Sequence, residues 1–376
     1  MIVVPTKIRT KPVLKLNPGI ESRQFLPLPK PSGLYPYRLN IESVSPIINS
    51  QKLVFHLVGD TGSVVDPTYQ KYVVRQMNEH VSKQLPATDQ PAFLYHVGDV
   101  VYNFGEAAHY YQQFFNPYRH YLKPIFAIAG NHDGDVDFTK ENPPKSLDAF
   151  TRVFCDTWQR DIDLAGNSRR KTMIQPNVYW TLQTPLANFI GLCCNVTKFG
   201  IITDEQRLWF INELKNAAQE RPRKAIIVTL HHSPYSCDTN HGSSLNMIDF
   251  LDKAFEETGV KPDIVFSGHV HNYQRFHRKY TDGTVIPFIV AGAGGYVDLH
   301  RIAENNDPEF PDENEAFNDV TLQSFCTDGH GFLKIILEKH DSHLTLTGEY
   351  FKVNYLDEDS NPANRSEIYD TFQITI

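Results

Sequence analysis

Short apolar runs recur along the chain, and five of them stop at a compact polar motif. Leu53–Val58 reads as a buried strand and runs into Gly59-Asp60. Phe93–Val97 runs into Gly98-Asp99, and Ile125–Ala129 into Gly130-Asn131-His132-Asp133. Ala225–Leu230 ends at His231-His232, and Ile264–Ser267 at Gly268-His269-Val270-His271. Helical spacing intervenes. Tyr69–Gln84 sets Tyr72, Val73, Met77, His80 and Val81 on one side, and further helices are predicted over Ala107–Phe115, Leu147–Trp158 and Leu245–Glu257. Another begins at Asp204, with an N-cap residue there and Glu205 in its first turn. More strands are predicted over Val178–Leu182, Phe189–Cys193, Val285–Ala291, Phe332–Leu337 and Leu344–Tyr350, with a last one near Ile376. Residues 134–176, where periodicity is weak, read as an insertion. Residues 1–50 stand apart: Pro27, Pro29, Pro31 and Pro36 forbid a long helix, so an extended arm with one or two strands is expected, preceding a domain over 51–376. The alternation implies an α/β layered fold with mixed sheets.

Composition narrows the classes. A chain of 376 residues, 41% hydrophobic, can bury one large core or two smaller ones. A net charge of -8 argues against a nucleic-acid partner, which would call for a basic surface. Five cysteines, an odd number without a CxxC pair, give no disulfide framework and no thiolate zinc site. Cys193 and Cys194 read as buried strand thiols. No apolar run approaches the ~20 residues of a membrane span. The first residues carry Lys7, Arg9, Lys11 and Lys15 without the apolar stretch of an export leader, which on sequence alone points to the cytoplasm. Asn195-Val196-Thr197 and Asn364-Arg365-Ser366 fit the glycosylation pattern and, with no leader in view, are read as chance matches.

Sixteen histidines are many for this length, and several lie in the strand-end motifs. Asp60 and Asp99 offer carboxylates, Asn131 an amide oxygen, and His231, His269 and His271 imidazoles. Oxygen and nitrogen donors without thiolates suit iron, manganese or zinc. A carboxylate can bridge two ions, and two ions roughly 3.5–4 Å apart can activate a water and clamp a phosphoryl oxygen. His269 and His271, two residues apart, would share a face if they lay on a strand. Singly, each motif is weak. A Gly-Asp after a strand is usually a turn, and a histidine often sits satisfied in a core. The specificity lies in the ordered set.

That set resembles the calcineurin-like metallophosphoesterases, whose blocks D-x-[HG], GD, GN-H-[DE], H and GHxH stand here as Gly59-Asp60-Thr61-Gly62, Gly98-Asp99, Gly130–Asp133, His231 and Gly268–His271. A finer resemblance points to the purple acid phosphatase branch: Gly98-Asp99-Val100-Val101-Tyr102 matches GDxxY, Val228–His231 matches VxxH, and Gly62 stands where other branches carry His. The Gly-rich stretch Ala291–Gly295 adds a little. The resemblance implies a four-layer α-β-β-α sandwich of two mixed sheets flanked by helices, with 51–376 as the catalytic domain. It implies two metal ions. Asp60, Asp99, Tyr102 and His271 would hold ferric iron, and Asp99, Asn131, His231 and His269 would hold iron, zinc or manganese, with Asp99 bridging. Tyr102 has a plainer alternative as a hydroxyl capping the pocket. The implied reaction is hydrolysis of a small phosphate monoester by a metal-bound hydroxide, without a phosphoenzyme.

Three histidines are candidates for the remaining proton work: His132 as oxyanion stabiliser, His241 as general acid, and His232 as an orienting or merely structural group. For His241 a solvated loop residue is the competing reading. A phosphodiesterase or nucleotide phosphohydrolase of the same superfamily is the alternative function. A protein-phosphatase pattern fails after Asp99, and a scaffold with a vestigial site would be expected to have lost ligands. Export is common in the branch, which bears on compartment. Substrate walls are expected from 103–120, 134–176, 233–244 and 296–328. The last is an acidic loop with Asp298, Glu304, Asp307, Glu309, Asp312, Glu313 and Glu315. Tyr102, Phe104, Tyr235 and Tyr273 are candidates for stacking on a substrate base or aryl ring, with packing of the loops as the equal alternative.

Overall fold

The computed structural model describes residues 9–16, 26–81, 85–194, 200–355 and 365–376. Among the described residues fourteen strands form two sheets: β1 (Arg38–Asn40), β2 (Lys52–Val58), β3 (Leu94–His96), β4 (Ile125–Ala127), β5 (Trp180–Gln183), β6 (Ala187–Gly191), β7 (Ala225–Thr229), β8 (Ile264–Ser267), β9 (Tyr273–Lys279), β10 (Val285–Ala291), β11 (Val320–Cys326), β12 (Gly331–Lys339), β13 (Leu344–Val353) and β14 (Ser366–Thr375). The helices are α1 (Thr68–His80), the single turn α2 (Asn131–Gly134), α3 (Asp148–Phe154), α4 (Asp204–Ala218) and α5 (Leu245–Thr258). The eight-stranded sheet runs β1-β5-β6-β7-β8-β10-β9-β11 and the six-stranded sheet β14-β13-β12-β2-β3-β4. Both are mixed. β2, β3 and β4 are parallel neighbours in one sheet, as are β6, β7 and β8 in the other, while late strands such as β12, β13 and β14 pair antiparallel.

The sheets meet face to face through aromatic side chains. Phe55 and Phe93 stack at 5.2 Å, and both present their edges or faces to Phe189 of the other sheet at 5.0 and 5.6 Å. Tyr95 lies on Phe189 at 5.5 Å and on Trp180 at 6.4 Å. Such rings bury large apolar areas and add roughly 0.5–1.5 kcal/mol per pair from their geometry. The apolar face of α1 (Val73, Val74, Met77) covers the outer face of the six-stranded sheet, and α4 with α5 covers the other. The result is the four-layer α-β-β-α sandwich. Each helix has a local cause. In α4 the Thr203 hydroxyl caps the Gln206 N–H, with Asp204 and Glu205 in the first turn, and in α5 Ser244 caps Met247 while Gly259 (φ 66°) ends the helix.

Several expectations are corrected. Ala107–Phe115 is not one α-helix but a 3-10 turn (Ala107–His109) followed by a π turn (Tyr111–Phe115) and a second 3-10 turn at Pro117–His120. Pro117 supplies no N–H to continue a regular helix. Leu147 takes φ 60° and the helix after it is only α3. The N-cap of α4 is Thr203 rather than Asp204. β9 and β11 were not expected; their burial alternates or runs mixed, which hides them among the loops. Residues 82–84 of the predicted first helix, the Asn195-Val196-Thr197 sequon and Asn364 lie outside the described residues. The segment before residue 50 supplies β1, parallel to β5. Its residues 9–16 lie against the loops around Ser236 and Pro311: Val13 N–H donates to Ser236 O (2.8 Å) and Leu14 N–H to Pro311 O (2.9 Å). Among the described residues no helix is long and apolar enough to cross a membrane.

Candidate metal centre

All five motifs sit where parallel strands end. Asp60, Asp99 and Asn131 follow β2, β3 and β4 of one sheet; His231 and His269 follow β7 and β8 of the other. The carboxyl ends of the two sheets meet at one rim, the place where α/β folds build sites. Direct bonds stitch the rim. His231 Nδ1 lies 2.9 Å from Val97 O, His269 N–H donates to both Asp60 oxygens at 3.0 Å, and Gly59 N–H donates to Ala291 O at 2.9 Å. Asp60, Asp99 and His269 take φ of 56°, 53° and 70°. Side-chain residues rarely adopt this left-handed region without a surrounding structure that enforces it.

Asp60, Asp99 and His231 each offer a ligand atom within 4.8 Å of the others, and this group could hold a metal ion. The other predicted donors gather around it. Asn131 Oδ1 is 3.0 Å from His231 Nε2 and 2.8 Å from His269 Nδ1. Tyr102 Oη is 3.2 Å from His271 Nε2 and 3.5 Å from Asp60 Oδ1, and His271 Nε2 is 3.7 Å from the same oxygen. His231 Nε2 is 3.5 Å from Asp99 Oδ2. Backbone carbonyls fix the remote ring nitrogens. Val97 O holds His231 Nδ1 and Asp298 O holds His271 Nδ1 (3.1 Å), so Nε2 of each faces inward. The two GHxH histidines do not lie on a strand. They occupy the bend between β8 and β9, where the left-handed turn at His269 sends the two rings to different neighbours.

The electrostatics fit a cation. Asp60 and Asp99 are buried together. Burial drives the Asp60 pKa well above the carboxylate range, and repulsion from Asp99 and Asp133 adds to burial against the pull of His231. Burial likewise opposes ionisation of Asp99, but the charges of His231 and His132 overcome it, and Asp99 stays the ionised partner. Burial also opposes charge on His231, yet Asp99 and Asp60 raise it to about 9. His231 thus favours its proton beside two buried carboxylates, and the same three groups could hold a metal ion. Burial, aided by Asp99 and Asp60, also lifts the Tyr102 phenol well above its ordinary value, so a phenolate there demands a strong Lewis acid.

Close approach explains two of the glycines. A Cβ on Gly130 would meet Asp99 Oδ1 at 2.0 Å. One on Gly62 would meet Gln113 Oε1 at 2.3 Å, and that buried amide grips Tyr102 at both ends, accepting its N–H and donating to its carbonyl at 2.8 Å. Gly62, where other branches carry His, therefore makes room for the clamp on Tyr102.

Of the three non-ligand histidines, His132 donates its backbone N–H to Asp99 Oδ1 (2.9 Å), holds Nδ1 at 2.8 Å from Asn103 O and packs its ring 4.3 Å from that of Tyr102. His241 lies with its ring centroid 4.0 Å from that of His269, and burial, with help from His300 and Lys15 against Asp238, pushes it down to about 4. His232 is buried, 4.4 Å ring to ring from His269, with Nδ1 3.3 Å from Cys194 Sγ. Tyr235 and Tyr273 do not line the rim. Tyr235 is packed among Phe276, Phe288 and Phe317, and Tyr273 stacks on Tyr350 at 4.0 Å with its hydroxyl on Asp370. Their nearness to His231 and His271 in sequence does not carry over: Tyr235 lies in the loop after β7 and packs into an aromatic cluster, and Tyr273, at the start of β9, packs on Tyr350.

Sequence reading missed several supporting residues. Asp133 accepts N–H bonds from Val100, Val101 and Gly130 at 3.0, 3.0 and 2.8 Å, locking two motifs together, and burial beside Asp99 raises it to about 7. His300 stacks on His271 at 4.2 Å, and Tyr296 lies 4.4 Å from Tyr102 and 4.5 Å from His271. Asp133 was visible within its motif without a role; His300 and Tyr296 carried no signal.

The profile of the calcineurin-like phosphoesterase family matches residues 53–273, more than half of the chain. The chain belongs to that family. Among curated relatives of this phosphoesterase, Probable purple acid phosphatase 20 of Arabidopsis thaliana is 27% identical over 278 residues, covering 68% of this chain and 54% of the relative. Purple acid phosphatase 15 of the same plant is 27% identical over 209 residues, covering 54% of this chain and 35% of the relative. The chain spans about half the length, or less, of these relatives. The same fold occurs in purple acid phosphatase from yellow lupin (Lupinus luteus) seeds, with a TM-score of 0.59 and 16% identity over 87% of this chain and 54% of that one. It also occurs in GAP50, described as the anchor in the inner membrane complex of Plasmodium, with a TM-score of 0.55 and 17% identity over 86% of this chain and 89% of that one.

Proposed function

We propose that this phosphoesterase is a binuclear-metal phosphatase that hydrolyses small phosphate monoesters. One observation carries the reading: the buried carboxylates of Asp60 and Asp99 face each other amid Tyr102, Asn131, His231, His269 and His271 in two contact groups. In this proposal Asp60, Asp99, Tyr102 and His271 would hold one ion, and Asp99, Asn131, His231 and His269 would hold the other. Bound there, ferric iron and a second ion of iron, zinc or manganese would supply the nucleophile from water and withdraw charge from the phosphoryl oxygens.

The chain's own residues do the rest. Asn103 O accepts the Nδ1–H of His132, and in the imidazolium form Nε2–H would donate to a phosphoryl oxygen. In the acid range, where an imidazole lowered to about 4 still carries its proton in part, His241 would hand that proton to the leaving oxygen as the ester P–O bond breaks, so that the alcohol departs neutral while a water oxygen takes its place on phosphorus. His232, tied to Cys194, keeps the His269 ring in place. The buried rim keeps bulk water from the carboxylates.

The test is phosphate release from an aryl phosphate monoester and its matching diester, using metal-loaded protein and an Asp99→Asn control. Monoester hydrolysis that the control abolishes is the expected result. Faster diester cleavage would move the protein to the phosphodiesterase or nucleotide phosphohydrolase alternative, and no release from either ester would refute the reading.

A further inference from the structure

The imidazole of His241 makes no side-chain hydrogen bond among the described residues, so its position is inherited from its backbone. One carboxylate holds that backbone. Asp238 is fully buried and accepts N–H bonds from Asn240 (3.0 Å), His241 (3.1 Å) and Gly242 (2.8 Å), and the Ser236 hydroxyl at 2.9 Å. Its second oxygen lies 3.0 Å from His300 Nδ1. His300 is itself buried, stacks on His271 at 26° and 4.2 Å, and has its carbonyl gripped by the Asn272 amide at 3.0 Å. Gly242 closes the turn at φ 68°. From outside, residues 9–16 brace the same loop: Ser243 N–H donates to Val13 O at 2.8 Å and Lys15 Nζ to Asn240 O at 2.7 Å.

Four donors converge on Asp238, and only an ionised carboxylate, with about four lone-pair sites and no donor of its own, can accept them all, while His300 Nδ1 beside it also lies 3.2 Å from the His271 backbone N–H, which donates to it. Burial disfavours its charge, but the His300 bond, the neighbouring imidazoles and the Gly242 N–H hold it well below the usual carboxylate range. The chain of contacts runs from the His241 backbone through Asp238 and His300 to His271, which the site reading makes a ligand.

We propose that Asp238 is a positioning residue for the leaving-group proton, fixing His241 relative to His271 by clamping its backbone onto His300. This inference rests on the phosphatase reading above. Displacement of a proton donor by about 1 Å can cost on the order of 10²-fold in rate, while binding of the phosphoryl group, made elsewhere, is untouched.

The experiment is a double-mutant cycle on metal-loaded protein. Asp238→Asn, which puts an NH₂ among the donors, is measured alone and with His241→Ala, on an alkyl phosphate and on an activated aryl phosphate. The expected result is a kcat loss of about 10²-fold on the alkyl ester, a much smaller loss on the aryl ester, an unchanged KM and the same metal content. In the His241→Ala background Asp238→Asn should add nothing, because the group it positions is gone. If Asp238→Asn does not fold, His300→Gln carries the same comparison. Equal slowing of both esters, or losses that multiply in the double variant, would overturn the inference while leaving the phosphatase reading intact. Wild-type protein inactive on both esters would sink that reading and this inference with it.

Discussion

Acid should loosen the fold at a place remote from the metal centre. His56 of β2 is fully buried, with Nε2 3.1 Å from His80 Nδ1 and Nδ1 3.1 Å from Tyr121 Oη. His80 closes α1 against Phe332 and Phe351, and the Lys334 ammonium is the nearby charge. Burial, with Lys334 adding to it, lowers His80 from 6.5 to about 4, and burial pushes His56 down as well. A folded-state pKa below the ordinary value means the unfolded chain binds the proton more tightly. Stability from this group is therefore complete above about pH 6.5 and is lost as the pH falls towards 4. For His80 alone the loss is about 2 kcal/mol at pH 5 and about 3 kcal/mol at pH 4. The assay is urea denaturation at pH 7.5, 6 and 5 of the wild type and His80→Gln, whose amide keeps a donor for His56 but does not titrate. Titrating groups away from this pair, those of the metal centre included, contribute to both proteins and cancel in the difference; His56, lowered by burial and in part by His80, is the partner that changes with the substitution. The pH dependence should be shallower in the variant by about 2 kcal/mol between pH 7.5 and 5. Identical slopes for the two proteins would refute the argument.

Two further outcomes follow from the centre itself. Tyr102→Phe in ferric-loaded protein should erase a visible charge-transfer band while leaving the metal content near that of the wild type; an unchanged spectrum would remove Tyr102 from the iron. Gly130→Ala drives a methyl to 2.0 Å from Asp99 Oδ1 and should lower the number of metal ions retained after dialysis, read by elemental analysis; full retention would mean that the loop shifts at little cost.

How much of this was readable in the chain depends on whether the information is local. The strands that position donors are short apolar runs ending at polar residues, and β2, β7, β8 and β10 fall within a residue of where periodicity puts them. β9 and β11 escaped because they sit at one side of a sheet, where burial is mixed and polar residues such as Gln274 and Gln323 interrupt the pattern. The turns after Glu106 failed as a helix because Pro117 and the packing of Phe114 and Phe115 impose tighter and wider windings than the average period. At the site, the residue types that bind metals announce themselves by chemistry and spacing. Their supports do not. Asp238 and His300 are 62 positions apart in number, and nothing in either neighbourhood says that a carboxylate will collect three N–H groups or that an imidazole will lie on His271. For Tyr235 and Tyr273 the packing alternative holds: nearness in sequence to His231 and His271 does not become a place at the rim, because Tyr235 is drawn from its loop into the cluster of Phe276, Phe288 and Phe317, and Tyr273 stacks on Tyr350.

The donor set is divided between the sheets. Asp60, Asp99, Tyr102 and Asn131 come from loops of the six-stranded sheet, and His231, His269 and His271 from loops of the eight-stranded one. The sandwich therefore behaves as a calliper, with Phe55, Phe93 and Phe189 at its hinge of packed rings and the donors at the tips of its jaws. In the proposed centre an ion held by both tips would set the opening, and the opening would set the grip. Linkage makes the two reciprocal: free ion at a hundred times its dissociation constant would strengthen the fold by about 2.7 kcal/mol. A methylene removed deep between the sheets would in turn be felt at the rim as weaker metal affinity, although no donor had been touched.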